Sequence, residues 1–106
     1  STGESGKVDN TLTDAQKSRL NALENTINDH LTDGDFSGTL RDLQGDPVPN
    51  GRGGYFDHLG EMQDSYKSLR KIKKALDRAL LQEGLNKANS YINKIEELFD
   101  PYGGIN

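Results

Sequence analysis

Hydrophobic residues recur along this chain in four blocks of helical spacing, separated by breaks rich in glycine or proline. Leu20, Leu23, Ile27 and Leu31 follow one another at three- and four-residue steps, the period that gathers apolar side chains on one helix face. Thr13, with Gln16 three residues later, has the spacing of a capping box at the start of this helix, and Gly34 is its expected stop. His30 lies three residues after Ile27 and so falls on the apolar face. Asp35 can then cap a short second helix that turns Phe36, Leu40 and Leu43 inward and ends at Gly45.

The third block is the longest. Leu59, Met62, Tyr66, Leu69, Ile72, Leu76 and Leu80 keep the same period, which predicts a helix beginning near residues 55–57 and running to about Leu81. A break at Gln82-Glu83-Gly84 precedes a fourth helix carrying Leu85, Ala88, Tyr91, Ile92, Ile95, Leu98 and Phe99, stopped by Pro101. So short a connection favours an antiparallel hairpin of the third and fourth helices. Between the second and third blocks lies QGDPVPNGRGG (residues 44–54), whose prolines resist helix. That segment should be extended and turn-rich, with no strand or at most one short hairpin. The expected fold is all-α: a small bundle of about four helices with a long Gly/Pro-rich loop and a C-terminal helical hairpin. One domain over residues 13–106 would follow a polar, aperiodic linker over 1–12.

Composition narrows this picture. At 106 residues there is room for one core, and 31% hydrophobic content makes it a thin one. The net charge of -4 is polarised: residues 1–50 carry four basic and nine acidic side chains, whereas 67–78 carry six basic and one acidic. An acidic protein can therefore still present a basic stripe. Without cysteine there is no disulfide framework, thiolate metal site or cysteine nucleophile. No apolar run approaches the roughly 18 residues of a membrane span and no signal peptide is evident. The missing initiator methionine suggests a piece of a longer protein.

Chemistry concentrates at GRGGYFDHLGEM (residues 51–62), a glycine-rich loop that enters the longest helix. Glycines let consecutive N–H groups converge on an anion, and a helix N-terminus adds donors and partial positive charge. The two histidines each follow an aspartate, Asp29-His30 and Asp57-His58, and both are expected to point inward or into a cleft. Metal-independent RNA cleavage needs such a pair, one group taking the 2′-OH proton and the other protonating the departing 5′ oxygen. His58 and His30 are the candidate pair, with Asp57 and Asp29 either orienting the rings or acting as caps. Arg41, Arg52, Gly53 and Gly54 are candidates for holding phosphate, and Tyr55 for base stacking or packing. Lys67, Lys71, Lys74 and Arg78 form the basic stripe.

Each of these features also has a plain structural explanation. A histidine on an apolar face is more often a core or rim residue than a catalyst. GRGG matches neither a P-loop nor a dinucleotide fingerprint, and a lysine run is usually a solvated face. Asp57, His58 and Glu61 could offer mixed metal ligands, but the second copy of the motif found in di-iron helices is missing. Asp33-Gly34-Asp35 lacks the ligand series of a calcium loop. No metal or cofactor is expected. A non-catalytic helical interaction module, such as an immunity or adaptor protein, is the rival reading.

Residues 21–100 resemble the polymorphic toxin type 28 family of bacterial toxin domains, through LENTINDHLT (23–32), DLQGDPVPN (42–50) and GGYFDHLGEMQDS (53–65) followed by the helical hairpin. The resemblance implies a ribonuclease toxin with transfer RNA as substrate. Such domains are the C-terminal cargo of larger secreted effectors, as in contact-dependent growth inhibition, and act in the cytoplasm of target bacteria. It also implies a cognate immunity protein and, for some relatives, dependence on elongation factor Tu. The family pattern falls on Asp29-His30 and Asp57-His58, with Glu61 nearby.

Overall fold

Capping chemistry sets where each helix starts. In the computed structural model, which describes residues 12–78 and 81–105 apart from the side chains of 77 and 78, helix α1 spans Asp14–His30. The Thr13 hydroxyl accepts from the Gln16 N–H at 3.1 Å, and the Gln16 side chain accepts from the Thr13 N–H at 2.9 Å, as its spacing predicts. The helix does not run on to Gly34. A second capping box intervenes: the Thr32 hydroxyl accepts from the Asp35 N–H, and the Asp35 carboxylate accepts from the Thr32 N–H at 3.0 Å. Helix α2 therefore spans Asp33–Leu43 and takes Gly34 into its first turn. Leu31, between the two helices, folds inward and is buried.

Gly45 ends α2 as expected. Its φ of +77° suits glycine, and the chain closes in a Schellman arrangement, with the Gly45 N–H donating to the Asp42 carbonyl and the Asp46 N–H to the Arg41 carbonyl. The loop that follows pairs with itself only briefly, through a single antiparallel bridge between Pro49 and Tyr55. This is the short hairpin the prolines permit.

Helix α3 spans His58–Arg78 and α4 spans Gln82–Phe99, followed by a 3₁₀ turn over Asp100–Tyr102 that carries Pro101. They run antiparallel, because the Tyr66 hydroxyl donates to the Glu96 carboxylate at 2.7 Å at one end while Gly84 lies against Leu76 at the other. Gly84 is not the predicted break. It sits inside α4, buried, where a Cβ would come within 2.8 Å of Leu20 on α1. Its lack of a side chain is what lets the helices approach.

The α3–α4 hairpin carries α1 and α2 on one side. Lys87 on α4 pairs with Glu24 on α1, and the Lys94 ammonium lies 4.2 Å from the centre of the Phe36 ring on α2. Leu23, Ile27, Phe36, Met62, Leu69, Leu76, Ile92 and Ile95 fill the space between. This is the all-α bundle the periodicity predicts, and no strand occurs among the described residues. Among the described residues no helix is long and apolar enough to cross a membrane. Leu80, Arg78 as a side chain and residues 1–11 of the expected linker lie outside the description.

Candidate functional site

Helix α2 holds the entrance of α3. The first N–H groups of a helix have no intrahelical acceptor, and here two carboxylates supply one each. Asp57 accepts from the Gly60 N–H at 3.0 Å, and Asp42 of α2 accepts from the Leu59 N–H at 2.8 Å. The buried Thr39 hydroxyl, also on α2, lies 2.7 Å from the Asp35 carbonyl and 3.2 Å from that of His58. Asp57 is thus a cap for α3, one of the two roles the sequence leaves open to it.

His58 is half-buried against this clamp. Its ring lies on the bare backbone of Gly38: a Cβ there would come within 2.6–2.7 Å of three ring atoms. The Phe56 ring flanks it at 5.5 Å, tilted by 54°. The Nδ1 atom of His58 is sealed from solvent and has no hydrogen-bond partner, and the same holds for Oδ1 of Asp42. A buried polar atom left unpaired carries a desolvation cost of roughly 1–3 kcal/mol. Two such atoms lie at one α2–α3 contact.

His30 is placed differently. It is the last residue of α1 and is exposed, not on the packed face. The apolar face of α1 ends here because the facing turns of α3 carry Glu61 and Asp64. Between them opens a cavity of about 590 Å³ whose walls include Asp29, His30, Glu61, Asp64, Ser65 and Ser68. His58 does not line it. Glu61, which does line it, is three residues after His58 on α3.

The remaining candidates divide. In the glycine loop, Asn50 Oδ1 accepts from the N–H groups of Arg52 at 2.8 Å and Gly54 at 3.3 Å, so these donors close the turn and do not face an anion. Gly53 has φ +86° and is exposed, as are Arg52 and Tyr55. Arg41 turns back on the α2 terminus, bonding the Asp46 carbonyl at 2.9 Å and its carboxylate at 3.4 Å. Lys67 and Lys71 lie exposed on the outer face of α3. Lys74 instead joins Arg70, Lys73, Asn89, Asn93 and Glu96 around a groove of about 320 Å³ between α3 and α4. Among the described residues no group of three or more histidines and carboxylates is arranged to hold a metal ion.

Sequence reading alone missed Asp42, Gly38 and the Arg70–Lys73 pair. A glycine inside a helical pattern is a signal of close backbone approach, so Gly38 was findable. Nothing local distinguishes Asp42 from other surface aspartates.

A family model described as bacterial toxin 28 matches residues 11–101. The chain is also 39% identical over 95 residues to a tRNA nuclease CdiA of Escherichia coli O6:K15:H31 (strain 536 / UPEC). That match covers 87% of this chain but only 3% of the relative's length. The matched region takes in all four helices, the clamp on His58 and the cavity beside His30, and the chain belongs to the bacterial toxin 28 family.

Proposed function

We propose that this domain is an antibacterial ribonuclease that cleaves transfer RNA by metal-independent acid–base catalysis, with His58 as its principal catalytic residue. The observation that carries this reading is the seating of His58. A buried polar atom without a partner calls for an explanation beyond packing. This one lies on a glycine, beside an exposed loop, with Nδ1 sealed and unbonded. Family membership and the tRNA nuclease relative supply the substrate class.

In the reaction, one group takes the proton of a ribose 2′-OH, whose oxygen attacks the adjacent phosphorus. The bond from phosphorus to the 5′ oxygen breaks, and a second group protonates that oxygen. His58 serves one transfer; the group for the other comes from the neighbouring cavity, where His30 and Glu61 both stand on the wall. Exposed Arg52 is the cation on the loop side for the charge gathering on the phosphoryl oxygens. Tyr55 and Phe56, 63% and 51% exposed, are placed to stack on bases next to the cut. Because the chain matches only a small part of its relative, we read it as cargo of a larger effector delivered to the cytoplasm of a target bacterium. A cognate immunity protein would silence it in the producing cell.

Expression of the domain in bacteria, followed by gel analysis of transfer RNA, tests the proposal. His58→Ala should abolish cleavage and growth arrest while the helical circular dichroism is retained. Full activity in that variant would remove the catalytic role. Cleavage that is lost with EDTA and restored by added metal would overturn the metal-independent mechanism.

A further inference from the structure

We infer that Asp42 is a positioning residue for His58: it takes the Nδ1 proton of the imidazole, leaving Nε2 as the nitrogen that faces substrate. This rests on the catalytic reading of His58 given above and extends it to a residue on a different helix.

Three observations carry the inference. The first is proximity. The Asp42 carboxylate is bonded to the Leu59 N–H at 2.8 Å, and that nitrogen is about 2.4 Å from the Cα of His58 across the peptide bond. The second is direction. Gly38 and Asp42 are one helical turn apart on α2, so they share a face. The His58 ring rests on that face, with Nδ1 2.7 Å from where a Gly38 Cβ would be. The third is unsatisfied bonding. Asp42 uses Oδ2 for the Leu59 N–H and keeps Oδ1 buried and unpaired, while His58 keeps Nδ1 buried and unpaired. A buried carboxylate oxygen can only accept, and a neutral imidazole must carry its proton on one nitrogen. A proton on Nδ1 directed at Oδ1 would relieve both atoms at once.

The other charged groups near His58 do not compete for this role. Asp57 is turned to the Gly60 N–H, Asp35 of α2 accepts from the Thr32 N–H and hydroxyl, and Glu61 lines the cavity beside α1. Arg41 on α2 is held by Asp46, and Lys94 of α4 lies over Phe36. An aspartate in this position sets the tautomer and stabilises the imidazolium that forms during proton transfer.

The test is Asp42→Asn, which keeps an amide oxygen to accept from the Leu59 N–H and replaces the other oxygen, with its charge, by an NH2 donor. In a His30→Ala background His58 is the sole histidine, so nitrogen-15 NMR reads its tautomer directly. The expected result is a loss of the Nδ1–H form and, in the otherwise native chain, at least tenfold slower cleavage. Thermal stability should change little. An unchanged tautomer would overturn the inference, as would a cleavage loss that only tracks lost stability. If the tautomer changes but His58→Ala still cuts RNA, the positioning role stands and the catalytic reading of His58 falls.

Discussion

Replacing Gly38 with alanine asks the α2–α3 contact to declare what it is for. In the middle of an isolated helix the change favours folding by about 1 kcal/mol, because glycine has the higher conformational entropy to lose. Here the new methyl would lie 2.6–2.7 Å from the His58 ring. Reaching ordinary contact near 3.4 Å requires the ring to retreat by about 0.7–0.8 Å. Overpacking of this kind costs roughly 1–3 kcal/mol, so it outweighs the helix gain. The expected net effect is a loss of about 1 kcal/mol, or about 4–8 °C in Tm for a domain of this size. In a His58→Ala background the obstruction is gone and the same substitution should raise Tm by a similar amount. Urea and thermal unfolding followed by circular dichroism give all four corners of the cycle, with a coupling energy of about 2 kcal/mol expected. A ring displaced by this distance is also displaced from its substrate, and misplacement by about 1 Å can cost roughly a hundredfold in rate. If Gly38→Ala stabilises the protein equally with and without His58, the ring does not rest on Gly38 and the reasoning fails.

Two further outcomes follow from the helical hairpin. The hydrogen bond to Glu96, with burial and the glutamate's charge adding to it, holds the Tyr66 hydroxyl pKa above its ordinary 10.0. The unfolded chain loses that proton first, so folding stability should fall as pH rises above about 10; Tyr66→Phe should flatten that alkaline slope in pH-dependent urea unfolding, and an unchanged slope would refute the assignment. Gly84→Ala puts a methyl 2.8 Å from Leu20 and 3.2 Å from Leu76 and should lower stability by about 1–3 kcal/mol, whereas a gain in Tm would mean that α4 does not need its glycine to approach α1.

Much of this architecture was legible in residue order because its causes are local. The Thr13–Gln16 box, the apolar stripe from Leu59 to Leu76 and the stop at Gly45 all act within a turn or two of backbone. Local signals failed where two of them competed or where a distant helix decided the outcome. Gly34 reads as a stop only until Thr32 and Asp35 cap the next helix around it. Gly84 reads as a break until Leu20 is seen to need the room. His30 shares a wheel position with Ile27, yet it is exposed because nothing apolar on α3 faces it.

The candidate site divides along the same line. Residue order alone determined that His58 stands at a helix entrance behind a glycine loop, since glycine content and helical period are properties of neighbouring residues. It also located the basic residues of α3. Only tertiary structure decided that the loop's N–H groups at Arg52 and Gly54 close on Asn50, that Arg41 braces its own helix end, and that the cavity beside His30 is walled by Glu61 and not by His58. It alone brought Gly38, twenty residues earlier, against the imidazole, and Asp42 to the Leu59 N–H beside it. Hydrogen bonds and steric contacts act over a few ångströms, and the chain comes within that range of itself at long separation only after the helices have packed.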